Sequence, residues 1–166
     1  KYSIENDFLD DFEEEGIEED YLEYRIEQVK YLGDQLLSKG IPIIVPAGGH
    51  GIYVDAKKFY PHIPQKEFPG QALVVELYKT GGVRGVELGS CAFSKKNMNT
   101  GEIIYPELEM VRLTVSRRIY TNRHMDVVVN SLEDVYKRRD SARGLKITYE
   151  GPIISLRHFT AKFKLL

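Results

Sequence analysis

Cysteine is nearly missing from this 166-residue chain, with Cys91 the only one. That excludes an internal disulfide framework and fits a reducing cytoplasm. No apolar run approaches the length needed to span a bilayer, and the first residues are charged rather than signal-like. A basic excess is missing too. Lys and Arg number 23 against 25 Asp and Glu, for a formal net charge of −2, so no basic face is available to neutralise phosphates and nucleic acid is not expected as a partner. The catalytic inventory is thin: there is no GxSxG elbow, no CxxC pair, and no metal-ligand spacing among His50, His62, His124 and His158. Cys91 ends an apolar stretch without a spaced basic partner and reads as structural. These absences leave a cytoplasmic domain with no membrane partner and no metal or nucleophile of its own.

What is present is enough for one domain with a real core. Hydrophobic residues make up 42% and charged residues 29%, which needs no staples at this length. The chain opens on Lys1 instead of an initiator Met, as a trimmed chain or a domain cut from a longer protein would. Residues 1–15 form an acidic N-terminal segment; from Glu5 to Asp20 there is no Lys or Arg, as in a solvated stretch or frayed helix. Phe8, Leu9 and Phe12 give it a small apolar stripe that could dock weakly. The structured domain is expected over residues 16–166.

Hydrophobic spacing orders the rest. Leu22, Ile26, Val29, Leu32 and Leu36 recur at threes and fours, predicting a helix over residues 20–40 with Asp20 as N-cap and Gly40 as stop. Residues 41–45 and 52–55 are β-rich around a glycine-rich turn and predict a hairpin, with Pro42 favouring an edge. Gly48, Gly49 and Gly51 lack GxGxxG spacing and no helix opens from them, so they read as a turn and not a phosphate cradle. A helix is expected from Pro69 to Gly81, a strand over 83–89, a loop over 91–106, a helix over 122–139, and strands over 145–149 and 156–163. The fold class is α+β: a small mixed or antiparallel sheet covered by helices on one face, with the other face left for a partner domain. Nearly all carboxylates lie on helix faces or in the acidic start, where solvation explains them.

The run from Glu109 to Tyr120 stands apart. Val111, Leu113 and Val115 alternate inward, while Arg112 and Thr114 point the other way. A guanidinium in mid-strand is an ordinary surface feature, yet it is also placed to fork onto a carboxylate through two parallel hydrogen bonds.

Six blocks then carry a family resemblance: YLEYR at 21–25, PAGGHGIYVDA at 46–56, FPGQAL at 68–73, GVRGVELGS at 82–90, VRLTVSR at 111–117 continued by Tyr120, Thr121, His124, Met125 and Asp126, and LRHFTAK at 156–162. Together they resemble the C-terminal portion of the β-eliminating lyases, the tryptophanase and tyrosine phenol-lyase family, and stand closer to tryptophanase. The resemblance implies the C-terminal small domain of a fold-type I pyridoxal-phosphate enzyme. It also implies a homotetramer, potassium or a similar monovalent cation, and a separate large domain holding the cofactor. The family's cofactor lysine precedes the glycine-glycine-histidine turn, whereas Ser94-Lys95-Lys96-Asn97 follows it. The chain is therefore expected to lack that lysine and to be inactive alone.

Position by position, the resemblance makes Arg112 the binder of the substrate α-carboxylate, and puts Leu88, His158 and Phe159 at the specificity pocket. Tyrosine phenol-lyase is expected to carry Arg at the Leu88 position and Phe at the His158 position. An apolar Leu suits an indole ring, whereas a phenol oxygen left unpaired there loses about 1–3 kcal/mol. The expected reaction is cleavage of tryptophan to indole, pyruvate and ammonia. A tyrosine or other β-lyase domain is the alternative, and a non-catalytic binding or assembly module is the alternative from another class.

Overall fold

The three-and-four spacing of Val29, Leu32 and Leu36 becomes the buried stripe of helix α1 (Glu19–Ser38). The computed structural model describes residues 19–116, 118–153 and 156–166; the expected acidic segment 1–15 and its apolar stripe lie outside them. Asp20 falls within the first turn of α1 and not at its N-cap, where its charge still complements the helix dipole. Gly40 ends the helix as expected. Its φ of +70° lets Ile41 N–H turn back onto the Leu36 carbonyl at 3.0 Å.

Strand β1 (Gly51–Asp55) follows, then a helical turn α2 (Ala56–Phe59). The expected hairpin survives only in part: Ile43 bridges Val54, and Ile44 N–H bonds the Tyr53 carbonyl at 2.8 Å, without a full strand before the turn. Helix α3 (Pro69–Gly81) starts with proline at its first turn, where no N–H is needed, and ends at left-handed Gly82. Strand β2 (Val86–Leu88) follows.

Residues 91–106 depart from the expected loop. They hold most of a short helix α4 (Ser90–Phe93), then a small antiparallel hairpin of β3 (Lys95–Lys96) and β4 (Ile103–Ile104). The expected turn is present, with Asn97 Oδ1 accepting from Asn99 and Thr100 N–H; the flanking residues pair across it.

Strand β5 (Met110–Thr114) lies at the centre of an antiparallel three-stranded sheet in the order β1-β5-β2. Helix α5 (Asn122–Lys137) then runs back over the sheet, its start fixed by Thr121 N–H donating to His124 Nδ1 at 3.1 Å. Strand β6 (Leu145–Tyr149) pairs with β7 (Lys162–Leu165) as a separate ladder. Between them residues 157–160 form a helical turn, α6 (Arg157–Thr160), where a strand was expected over 156–163. The physical reason is Arg157, whose side chain reaches back to the Ser90 and Cys91 carbonyls and draws the chain into a turn.

The fold is α+β, with small antiparallel sheets, three among the described residues, where one sheet was expected. One face of the main sheet presents Ile52, Val54, Val111 and Leu113 to Val29, Leu32 and Leu36 of α1, Ala72, Leu73 and Leu77 of α3, and Val129, Leu132 and Val135 of α5. Each fully buried leucine or valine contributes about 1.5–3 kcal/mol. Because side chains alternate, the opposite face carries Tyr53, Met110, Arg112, Thr114 and Leu88. No helix among the described residues is long and apolar enough to cross a membrane.

Candidate functional site

Arg112 sits at the middle of the central strand, opposite Tyr53 on β1 and Val86 on β2. It is half-buried, and its Nε is fully buried with no hydrogen-bond partner among the described residues. A buried donor without an acceptor costs about 1–3 kcal/mol, and native chains keep few of them. An arginine held on a rigid strand with an unpartnered donor suits a ligand that brings its own oxygens, above all a carboxylate.

Leu88 faces Met110 across β2 and β5. It lies on the same sheet face as Arg112, one diagonal step away, a spacing of roughly 7–8 Å. His158 and Phe159 stand on α6, their ring centroids 4.0 Å apart, and both are exposed, Phe159 at 78%. They border a groove of about 650 Å³ that runs between α3 and β2, with Val74, Tyr78 and Val86 along it. The four expected site residues therefore form two pairs: Arg112 with Leu88 on the open sheet face, and His158 with Phe159 beside the edge strand.

The two pairs are joined by groups the sequence reading missed. Glu109 and Glu87, carboxylates to which the sequence assigns no role, are 1% and 5% exposed. Glu109 accepts from Ser90 N–H at 2.9 Å, Ser90 Oγ at 2.5 Å, Gln65 Nε2 at 3.2 Å and Gly70 N–H at 3.4 Å. Glu87 accepts from Cys91 N–H at 2.9 Å and Ala92 N–H at 3.0 Å, satisfying amides at the start of α4 that no helical carbonyl can reach. A Cβ on Gly89 would stand 2.4 Å from the Glu109 carboxyl carbon, so only glycine leaves that carboxylate room. Two signals were available: Glu87 alternates with Val86 and Leu88 at an inward strand position, and Gly89 follows two residues later.

Burial raises Glu87 to about 7, reinforced by the Glu109 carboxylate and opposed by the Cys91 and Ala92 amides. Between the ordinary value of 4.5 and about 7 the folded state keeps a proton that the unfolded chain has released. That contribution to stability is whole below the window and is lost as pH rises through it. Unfolding free energy is thus expected to fall by about 1–3 kcal/mol between pH 5 and pH 8 on account of this group. Glu87→Gln should flatten that slope in urea titrations, and an unaltered slope would assign the proton elsewhere.

Cys91 is buried, and burial followed by the Glu87 charge pushes its thiol up to about 12. It stays protonated and packs. Among the described residues no group of three or more His, Cys, Asp or Glu side chains could hold a metal ion.

Lys95 and Lys96 are exposed on the β3–β4 hairpin, and the turn at Gly48, Gly49 and Gly51 leads into strand β1, with no helix N-terminus to receive a phosphate.

A strand-mounted arginine with a buried, unpartnered donor thus sits at the middle of the sheet, on the face opposite the helical core. The family model for beta-eliminating lyases matches residues 16–131, and the chain belongs to that family. Tyrosine phenol-lyase of Symbiobacterium thermophilum is 53% identical over 150 residues, covering 90% of this chain and 32% of the relative. Tryptophanase of Hyphomonas neptunium is 45% identical over 152 residues, covering 92% and 33%. A probable tryptophanase of Aeropyrum pernix is 46% identical over 151 residues, covering 90% and 32%. The chain spans about a third of the length of these curated relatives. The family is generally dependent on pyridoxal phosphate. Over the matched residues, identity to this tyrosine phenol-lyase (53%) exceeds that to the two tryptophanases (45% and 46%).

Proposed function

We infer that this chain is the C-terminal small domain of a pyridoxal-phosphate-dependent lyase that cleaves tryptophan to indole, pyruvate and ammonia, and that it supplies the grip on the amino acid. The observation that carries this reading is the buried, unpartnered Nε of Arg112 in the middle of β5. Its guanidinium forks onto the substrate α-carboxylate. Fixing that group restricts rotation about the bond to Cα and sets the direction of the Cα–H bond. Bound elsewhere in the enzyme, pyridoxal phosphate supplies the electron sink for charge developing at Cα. Leu88, on the same face, offers an apolar contact to a flat indole ring, and His158 and Phe159 close the pocket from the β2 edge.

The large domain with its cofactor lysine, a homotetrameric assembly in the cytoplasm and a monovalent cation such as potassium belong to the same proposal. The 166 residues alone are then inactive.

The second reading, cleavage of tyrosine to phenol, is favoured by the 53% identity to a tyrosine phenol-lyase. Assaying the full-length enzyme with both amino acids separates the two. Indole release faster than phenol release by tenfold or more is expected, on the scale of one lost hydrogen bond to the phenol oxygen. Faster phenol release would overturn the role of Leu88, and no pyruvate from any amino acid would overturn the lyase reading.

A further inference from the structure

Helix α6 is four residues long, too short to hold itself together without tertiary contacts. It is fastened by the side chain of its first residue. Arg157, 12% exposed at its side chain, donates from Nε to the Cys91 carbonyl at 2.9 Å and from Nη2 to the Ser90 carbonyl at 2.8 Å. Nη2 also donates to Ser94 Oγ, and Nη1 to Glu150 Oε1 at 3.4 Å. Ser90 is held from its other side by Glu109, which takes both its N–H and its hydroxyl. Glu109 itself leads straight into β5, three residues before Arg112, and its carbonyl accepts from Ala56 N–H at 2.8 Å. Leu88 lies two residues before Ser90, and His158 and Phe159 directly follow Arg157. An unbroken path of hydrogen bonds thus joins the strand of Arg112 to Ser90 through buried groups, and Ser90 to the pair on α6 through the part-buried Arg157.

We propose that Arg157 and Glu109 are positioning residues: gripping Ser90 from opposite sides, they fix the distance from Leu88 and Arg112 to His158 and Phe159, and so set which leaving group the pocket accepts. The inference rests on the lyase reading for its substrate and on the hydrogen bonds alone for its geometry. The fork is what matters. Adjacent carbonyls on Ser90 and Cys91 are met by two donors of one rigid planar group, a geometry an ammonium cannot reproduce. Loss of the fork frees α6 to shift while leaving the Arg112 strand intact, because β5 is held on both sides by β1 and β2. An aromatic leaving group would feel that shift, whereas a small one would not reach α6.

The test uses the full-length enzyme with Arg157→Lys, Arg157→Met and the milder Ser94→Ala, which removes one acceptor only. Each is assayed with tryptophan, tyrosine and S-methylcysteine, whose leaving group is methanethiol. Arg157→Lys and Arg157→Met should lower kcat/KM for the aromatic amino acids at least about tenfold more than for S-methylcysteine, with Ser94→Ala between them and wild type. Equal losses on all substrates, or none, would overturn the proposal. Amide hydrogen exchange gives a readout independent of turnover. In Arg157→Met, residues 90–94 and 157–161 should lose protection together while β5 and α3 keep theirs. Loosening of 157–161 alone would remove the clamp. A wild type that makes no pyruvate would sink the lyase reading, and exchange would then decide the clamp on its own.

Discussion

Arg112→Lys in the full-length enzyme is expected to lower kcat/KM for the amino acid about 100-fold, and Arg112→Ala about 1,000-fold or more, largely through KM. Two charge-assisted hydrogen bonds to a carboxylate are worth roughly 1.5–3 kcal/mol each, and lysine keeps the charge while losing the second, geometrically fixed donor. Stability should move the other way. The Nε of Arg112 is buried without a partner, so Arg112→Met, which keeps the aliphatic stem, removes an unsatisfied donor and should leave unfolding free energy unchanged or raise it by about 1 kcal/mol. A side chain that costs stability and supports turnover is the signature of a binding group. Unchanged kinetics, or a large loss of stability with Arg112→Met, would mean that the arginine serves the fold.

Periodicity in the sequence carried the helices well because each buries a continuous stripe. Val29, Leu32 and Leu36, and Val129, Leu132 and Val135, are all in the core, and the Pro69 start and Gly40 stop act through local backbone rules that need no tertiary partner. The inward alternation of Val111 and Leu113 likewise settled which way Arg112 points. Elements made by distant partners were illegible. Nothing local makes residues 157–160 helical; Arg157 does so by reaching carbonyls 66 and 67 positions earlier in the chain. The burial of Glu87 and Glu109 escaped for the same reason. A carboxylate is buried when amides converge on it, and those amides come from Ser90, Gly70, Cys91 and Ala92, on segments whose meeting is a property of the fold.

Glu109→Ala should lower the free energy of unfolding by about 3–5 kcal/mol, read as a shift of the urea midpoint. The Ser90 hydroxyl and the Gln65 amide can rotate toward other acceptors, since Gln65 Nε2 already donates to the Pro106 carbonyl at 2.8 Å. The N–H groups of Ser90 and Gly70 are fixed by the backbone and cannot turn; each left unpaired costs about 1–3 kcal/mol, and the lost side chain adds a cavity. One effect opposes these. Removing Glu109 takes a negative charge away from Glu87, which eases ionisation of that buried carboxyl and should move the pH window of stability downward. The oppositions are unequal, because screening between two carboxylates softens their repulsion while nothing replaces the missing acceptors. The net effect is a less stable protein whose stability depends less on pH between 5 and 8. A variant as stable as wild type would show that Ser90 finds its acceptor elsewhere, and the link from β5 to α6 would then have to run through Arg157 alone.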